Sequence, residues 1–311
     1  MKEFKAPARE LAGWISRHLA NVQVHNAYVL FAGLGQVALR LRDQGWQIMA
    51  LDTLHCHHLL SCAFLLEGAG GITEENVVSW MRLRKEPEIA GRFFSWANQV
   101  FTPEEAVWLG IWRANILESD QAPNVQAQGS AVVLRTMAYW LSWNRTELTY
   151  KSLPPAAVFR HYVAQINREA AFGNRQNATL LSPIGAIPQA ANADLLYCYV
   201  PPCQGMGAMD ARLPYWERWV LGDPIAPLPF EERGQLGGLF SRETDWIAAV
   251  VRLLGAMKEI PVWAIAYSGD GEQISSAVSS LRPIVSQHEI PVPYPGPDGT
   301  VINQENLIIA G

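Results

Sequence analysis

The segment from Ala27 to Asp52 constrains the fold of this chain more than any other. It begins with an apolar run that ends in a glycine turn, Gly33-Leu-Gly35. A stretch with helical patterning follows at 36–44, and a second apolar run at 46–51 leads into Asp52. An apolar strand, a glycine turn, a helix, another apolar strand and an acid, in this order, predict the opening of a doubly wound α/β sheet.

The later part of the chain returns to the same alternation of buried strands and amphipathic helices. Two final strands joined by a Gly-Pro-Asp-Gly turn predict an antiparallel hairpin at the C-terminal end. We therefore predict a Rossmann-like α/β fold with a mostly parallel sheet. The further predicted elements are helices at 8–20, 53–66, 243–257 and 274–281, and strands at 194–200, 262–268, 283–294 and 300–309.

Between the two halves of the sheet, residues 67–150 have the pattern of a helical insertion rich in tryptophan. Thr102-Pro-Glu-Glu predicts a helix start, with an N-cap, a first-turn proline and two acids. The polar stretch 119–129 is interpreted as a loop, and so is the glycine- and proline-rich stretch 204–238. The predicted parts are an N-terminal helix with the first half of the sheet at 1–66, a helical insertion at 67–150, and the second half of the sheet domain at 151–311.

The composition indicates a chain with a large core and no general basic character. Of its 311 residues, 49% are hydrophobic and 17% are charged, and the formal net charge is -5. This charge argues against a surface coated for nucleic acid, although it allows one local basic groove. The sequence has no apolar run of about 18 residues and no signal-peptide core at its start, so a membrane span and export are not expected. Its four cysteines form no Cys-x-x-Cys pair, and we expect a cytoplasmic protein with reduced thiols.

The glycine turn and the acid predict a site for an adenosine-containing cofactor. Gly33 and Gly35 allow a ligand to approach the backbone, and the helix that follows offers free N–H groups. Asp52, at the tip of the second strand, could accept hydrogen bonds from a ribose diol. The same turn matches the Gly-x-Gly-x-x-Ala pattern of nicotinamide sites, and S-adenosylmethionine is the other candidate. A tight turn without any ligand is the structural alternative.

Phe31-Ala-Gly-Leu-Gly35 and Val200-Pro-Pro-Cys203 together point to a known family. The first segment resembles the Phe-Ala-Gly-Ser-Gly cofactor motif of the D12-class (Dam-like) adenine-N6 DNA methyltransferases. The second stands where that family carries its catalytic Asp-Pro-Pro-Tyr motif. The resemblance covers roughly residues 8–66 and 150–310, and it implies that the helical insertion at 67–150 corresponds to the family's target-recognition segment, with the cofactor-binding sheet on either side of it. Three later segments resemble the family's post-catalytic aromatic stretch and its last strands: Tyr215-Trp-Glu-Arg-Trp219, Trp263-Ala-Ile-Ala-Tyr-Ser268 and Glu305-Asn-Leu-Ile-Ile309.

The resemblance implies the fold of the S-adenosylmethionine-dependent methyltransferases, S-adenosylmethionine as the cofactor and DNA as a possible partner. It leaves the oligomeric state open. The positions that it carries over for cofactor binding are Phe31, Ala32, Gly33, Gly35 and Asp52. Those that correspond to the catalytic motif are Val200, Pro201, Pro202 and Cys203.

The departures from the family fall on its catalytic residues. There, the aspartate accepts hydrogen bonds from the adenine amino group, and the tyrosine stacks on the flipped-out base. Val200 cannot accept a hydrogen bond, and Cys203 offers no aromatic face. A further acid, which the family carries two residues before its phenylalanine, is Val29 in this chain. Losing a transition-state contact of this kind costs several kcal/mol.

Three interpretations follow from these departures. In the first, the protein keeps the fold and binds S-adenosylmethionine, another small-molecule ligand, nucleic acid or a protein partner, with methyl transfer reduced or lost. In the second, it is an active methyltransferase whose activating acid comes from elsewhere, from Asp194, Asp210 or Glu217. Asp194 lies about 20 Å back along an extended strand and is a poor substitute. In the third, it is a nicotinamide oxidoreductase, which leaves Pro201 and Pro202 unexplained.

Two weaker patterns have simple interpretations. His55-Cys-His-His58, with Cys62 nearby, matches no standard zinc spacing, and we predict no metal site. Trp108 and Trp112 share one helical face, and for these and the other tryptophans of the insertion we predict core packing rather than base stacking. Those tryptophans are Trp80, Trp96, Trp140 and Trp143.

Overall fold

The chain folds into a sheet unit and a helical unit. The computed structural model describes residues 7–66, 71–141, 153–170, 177–181, 193–269, 271–296 and 299–311. The sheet unit is built from the described residues of Lys5–Ser61, Gln176–Ala211 and Pro229–Gly311. The helical unit is built from those of Cys62–Arg175 and Arg212–Leu228.

The described strands form one sheet with the order β3-β2-β1-β4-β5-β7-β6. β7 runs antiparallel to both of its neighbours, and the remaining pairs are parallel. A mostly parallel sheet that closes with an antiparallel strand between the fifth and the sixth is the Rossmann-like fold of the S-adenosylmethionine-dependent methyltransferases, so the predicted fold class is confirmed. The strands are β1 (Asn26–Leu30), β2 (Gln47–Asp52), β3 (Ala178–Leu181), β4 (Leu195–Tyr199), β5 (Val262–Ser268), β6 (Ile284–Gly296) and β7 (Gly299–Ala310).

In the sheet unit, helices alternate with the strands along the chain. Those of the helical unit are consecutive along the chain, except for the last one, which follows β4. None of the described helices has the length and apolar character that a membrane crossing requires. The helices are α1 (Pro7–Leu19), α2 (Gln36–Asp43), α3 (His55–Leu65), α4 (Glu74–Trp80), α5 (Pro87–Ala90), α6 (Pro103–Leu117), α7 (Pro123–Leu141), α8 (Pro155–Ala170), α9 (Leu213–Leu221), α10 (Glu243–Ala256) and α11 (Glu272–Ser279).

The central strands β1 and β4 are buried along most of their length. Tyr28, Val29 and Leu30 of β1 are completely inaccessible, and the first four residues of β4 are buried as well. A parallel strand covered on both faces has no polar side, which explains why these segments are continuous apolar runs rather than alternating ones. This burial holds the carboxyl ends of β1, β2 and β4 at fixed positions along one edge of the sheet.

Aromatic side chains form the core of the helical unit. The ring of Trp112 stacks on that of Trp140 with a centroid distance of 5.7 Å, and both side chains are buried. Trp80 and Trp96 are buried too, and Trp108 is half-buried. The predicted core packing is therefore confirmed for these five; Trp143 lies outside the described residues.

Local capping explains where the helices of this unit begin. The Thr102 hydroxyl accepts from the Glu105 backbone N–H, and the Glu105 carboxylate accepts from the Thr102 N–H, which completes the predicted cap of α6. The prediction of a loop across 119–129 is wrong, because α7 begins at Pro123, with proline in its first turn.

The prediction of a continuous loop across 204–238 is also wrong, since it contains α9. This helix has Pro214 in its first turn and ends at Gly222, whose φ of 79° is the left-handed conformation of a helix C-cap. The helical unit extends beyond 67–150, because it also takes in α8 and α9.

Candidate ligand-binding site

Three parallel strands end side by side at the carboxyl edge of the sheet. Leu30 of β1 is in register with Leu51 of β2 and with Cys198 of β4. The residues that follow each strand are therefore neighbours, and they belong to the two segments that the sequence analysis selected. Strand order reverses between β1 and β4, and open α/β sheets bind their ligands at such a reversal.

The turn after β1 has a special backbone conformation. Phe31, Gly33 and Gly35 all have positive φ, at 53°, 58° and 72°. A left-handed conformation at a residue other than glycine costs about 1–3 kcal/mol and is concentrated at functional sites. The Gly35 N–H donates to the Ala32 carbonyl at 2.9 Å, and the Ala32 N–H donates to the Leu51 carbonyl at 3.3 Å. These bonds hold the turn against the end of β2.

The space beside Gly35 is suited to a ligand. A Cβ atom on Gly35 would stand 4.0 Å from the Ser61 hydroxyl, which lies on α3. That hydroxyl is buried, and it has no hydrogen-bond partner among the described residues. Gly35 is also the N-cap of α2 and has no side chain to cap it, so the first N–H groups of this helix are available to an acceptor. The turn thus fits the close approach of an adenosine-type cofactor.

Asp52 lies at the end of β2 and is 1% exposed. Its Oδ2 accepts the Gly33 N–H at 2.9 Å, and its Oδ1 accepts the N–H groups of Thr53 and Leu54 at 2.9 and 3.0 Å. Nδ1 of His57 lies 3.2 Å from the same Oδ1. Both carboxylate oxygens therefore bind groups of the protein itself.

The environment of Asp52 favours its ionised form. Burial by itself would raise its pKa, but the nearby His57 and the N–H groups of Gly33 and Leu54 outweigh burial and lower the pKa below its ordinary value. An ionised carboxylate can only accept hydrogen bonds. Nδ1 of His57 must therefore carry the proton in this pair.

The Val200-Pro-Pro-Cys203 segment follows β4 directly. Val200 is 4% exposed, and its N–H continues the sheet by donating to the Ala266 carbonyl at 2.8 Å. The Pro201 carbonyl accepts the indole N–H of Trp246 at 2.9 Å. The segment follows the strand beside β1, whose end carries the glycine turn, and the Val200 position has an apolar side chain.

A second loop, 232–240, binds this segment through its backbone. The Phe240 N–H donates to the Cys203 carbonyl at 3.0 Å, and the Met206 N–H donates to the Gly237 carbonyl at 2.8 Å. The Cys203 thiol in turn donates to the Phe240 carbonyl at 3.8 Å. Burial and the charge of Glu243 raise the pKa of this thiol, so it stays protonated at neutral pH.

Loop 232–240 also reaches the glycine turn. A Cβ atom on Gly237 would lie 3.2 Å from the sulfur of Met206 and 3.8 Å from the Phe31 ring. A Cβ on Gly238 would overlap the Glu232 carbonyl at 2.1 Å. The close fit of this loop therefore depends on glycine, and it brings the glycine turn and the Val200–Cys203 segment into one packed cluster.

The candidate replacement acids are placed differently. Asp194 lies before β4, at the opposite end of that strand, where its Oδ2 accepts the N–H groups of His25 and Asn26, each at 3.0 Å. Glu217 is completely buried within α9, in the helical unit. Asp210 is half-buried in the sheet unit. Val29 stands inside β1 with no accessible surface.

His57 is the site residue that the sequence interpretation missed. The His55–His58 pattern drew attention as a possible metal cluster, whereas the structure uses one of these histidines as a partner for Asp52. In the described part of the chain, no group of three or more His, Cys, Asp or Glu side chains is arranged to hold a metal. The spacing of Asp52 and His57, across the start of a helix, was the signal that could have identified the pair.

No known protein family model matches this chain, and no curated protein does. Among solved structures, it is similar to the methyltransferase domain of bacterial CtHen1-CN, at 6% identity over 97% of this chain and 99% of that one, with a TM-score of 0.38. It is similar to TehB from Haemophilus influenzae at 9% identity, over 96% and 61% of the two chains and with a TM-score of 0.37. It is similar to the precorrin-6y C5,15-methyltransferase from Geobacter metallireducens at 9% identity, over 97% of this chain and 87% of that one, with a TM-score of 0.34. The assignment of the fold rests on the strand order of the chain itself.

Proposed function

We propose that this chain binds S-adenosylmethionine, or a closely related adenosine ligand, at the Phe31–Gly35 turn and that it does not methylate adenine. The observation that carries the proposal is the pairing of two features at one edge of the sheet. A glycine turn with room for a ligand lies beside the segment Val200–Cys203, here called the motif loop. In this loop the buried Val200 stands where the family has its acid. The position of both motifs supports a relationship to the D12-class methyltransferases.

The turn itself supports the ligand-binding half of the proposal. The strained backbone of Phe31 and the unpaired hydroxyl of Ser61 are each costly without a function, and the missing side chain of Gly35 leaves space beside that hydroxyl. A bound adenosine cofactor would occupy the space that these residues leave and would take up the free N–H groups of α2. When bound, S-adenosylmethionine would supply an activated methyl group there.

The motif loop supports the second half. Methyl transfer to an adenine amino group requires an acceptor for its hydrogen bonds, and Val200 provides none. Cys203 is bound to Phe240 through both its carbonyl and its thiol, which leaves it poorly placed to contact a base. Asp194 lies at the far end of β4 and cannot compensate.

Calorimetric titration of the purified protein tests ligand binding. We expect S-adenosylmethionine and S-adenosylhomocysteine to bind, and NAD and NADP not to bind. Gly35→Val should abolish binding, because the new side chain would fill the space next to Ser61. Gly45→Val, at a left-handed glycine with open space around it, is the matched control and should bind as the wild type does. Binding of NAD with no binding of S-adenosylmethionine would overturn the proposal.

A transfer assay tests the catalytic half. The protein is incubated with duplex DNA and S-adenosylmethionine labelled in its methyl group, and the label in the DNA is counted against a no-enzyme blank. We expect counts equal to the blank. Incorporation above the blank that disappears in Gly35→Val, and that is recovered as N6-methyladenine after digestion of the DNA, would show that adenine methylation survives with another activating group.

A further inference from the structure

The Asp52 carboxylate connects three segments of the sheet unit. Gly33 belongs to the turn after β1, Thr53 and Leu54 lead into α3, and His57 lies in the first turns of that helix. Three of these four donors are backbone N–H groups, and the fourth is a side chain. His57 is therefore the contact that a substitution can remove without altering the backbone.

The two oxygens of Asp52 have different partners. Oδ1 receives Thr53, Leu54 and His57, all from the α3 side, and Oδ2 receives Gly33. The donors on Oδ1 fix the plane of the carboxylate, and this plane aims Oδ2 at the turn. The hydrogen bond to Gly33 then fixes the peptide plane between Ala32 and Gly33, in a turn whose φ of 58° at Gly33 is rarely adopted by other residues.

We propose that His57 is a positioning residue for the ligand-binding turn, acting through Asp52, whose Oδ2 holds the Gly33 N–H. This inference rests on the proposed function for the identity of the ligand. It follows from the 1% exposure of Asp52 and from the protein donors on both of its oxygens. His57 would then affect the ligand only through Asp52 and the glycine turn.

Substitutions at His57 separate a specific hydrogen bond from simple packing. In His57→Asn the amide nitrogen can take the place of Nδ1, so this variant should keep the contact. In His57→Gln the amide nitrogen corresponds to Nε2, so this variant should lose the hydrogen bond to Asp52. His57→Phe has no donor and should lose it too. His58→Asn, at the half-exposed neighbour on the same helix, is the matched control.

Two measurements are made on each variant. Amide hydrogen exchange at Gly33, followed by mass spectrometry or NMR, reports the brace without any ligand. Calorimetric affinity for S-adenosylhomocysteine reports the site. We expect exchange at Gly33 to be about tenfold faster, and binding about tenfold weaker, in His57→Phe and His57→Gln. His57→Asn and His58→Asn should behave as the wild type does in both measurements.

The outcomes distinguish this inference from the proposed function. If the wild type binds no S-adenosylhomocysteine, the proposed ligand is wrong, and the Gly33 exchange still decides whether His57 braces the turn. If the wild type binds but exchange at Gly33 is unchanged in His57→Phe and in His57→Gln, the brace is wrong. Equal loss of affinity in His57→Asn and His57→Phe would likewise refute a role for the Nδ1 contact. If His57→Phe fails to fold, the comparison of His57→Gln with His57→Asn remains decisive.

Discussion

The backbone N–H of Gly33 donates a hydrogen bond of 2.9 Å to Oδ2 of Asp52, which ties the turn after the first strand to the tip of the second. A carboxylate at this point of an α/β sheet is expected to face the ligand. Here both of its oxygens bind the protein, through the nearby His57 and through backbone N–H groups, and these interactions lower its pKa. The acid that the sequence selected as a ligand contact thus has a clear structural task.

Asp52→Asn should reduce the free energy of unfolding at neutral pH by about 2 kcal/mol, because hydrogen bonds to a buried charge are lost. The folded pKa of Asp52 is lowered, so its stabilising effect is complete above the pKa of an unfolded aspartate, about 3.9. The effect must disappear as the pH falls through the folded pKa. Denaturant unfolding of both proteins should show a constant difference above about pH 5 that shrinks below about pH 4. The same curve for Asp120→Asn, at an exposed position, should stay close to the wild type.

Replacing Gly35 by alanine should cost about 1–2 kcal/mol of stability, since φ is 72° and an L-residue is strained there. Gly45→Ala should cost a similar amount, because Gly45 has a φ of 89°. The two variants should differ in ligand affinity, because Gly35 alone of the pair lies at the proposed site. Thermal unfolding and titration with S-adenosylhomocysteine measure both effects. Equal affinities in the two variants would show that Gly35 does not belong to the ligand site.

The sheet and its flanking helices could be predicted from the sequence because their signals are local and strong. β1 and β4 are continuous apolar runs that end at glycine or proline, and the C-terminal hairpin has its turn residues. The helix α9 was missed because glycines and prolines surround it, although Pro214 and Gly222 are a helix start and stop. Capping residues of this kind are too weak to specify a helix by themselves. Here the helix is stabilised by the burial of its aromatic side chains, which the sequence alone does not reveal.

The site could be predicted only in part, because its partners come together through the fold. The turn and the motif loop were located from short patterns, and the sheet places them side by side. The role of His57 depends on which way α3 starts from β2, and the role of Gly237 and Gly238 depends on a loop packing against another loop. No local pattern specifies such contacts.

Trp112→Ala should reduce the stability of the protein by about 3–5 kcal/mol, which is usual when a large aromatic side chain is removed from a core. Trp112 is completely buried and stacks on Trp140. Trp108→Ala, at a half-buried position on the same helix, should cost clearly less. Denaturant unfolding compares the two. A small loss in Trp112→Ala would argue that the tryptophans serve something other than the core.

Val200→Asp should destabilise the protein by about 3 kcal/mol at pH 7, because it places a charge at a position that is 4% exposed. Burial would raise the pKa of the new carboxyl group. The loss of stability therefore grows as the pH rises above the pKa of an unfolded aspartate. Val200→Asn carries no charge, and its loss should not depend on pH in this range. Thermal unfolding between about pH 4 and pH 8 gives the comparison. A stable Val200→Asp variant that gains DNA methylation would show instead that one substitution accounts for the missing activity.

Cys203 should react slowly with iodoacetamide at neutral pH, because burial and the charge of Glu243 raise the pKa of its thiol. Glu243→Gln removes that charge and lowers the thiol pKa, so the alkylation rate should rise, by about twofold at an exposed carboxylate. Quantitative mass spectrometry of the modified peptide follows Cys203 by itself, and Cys198 provides an internal control. Cys198 is completely buried with a pKa of about 12, and it should stay unmodified in both proteins. An unchanged rate at Cys203 in Glu243→Gln would mean that its contact with the Phe240 carbonyl, and not the nearby charge, controls its reactivity.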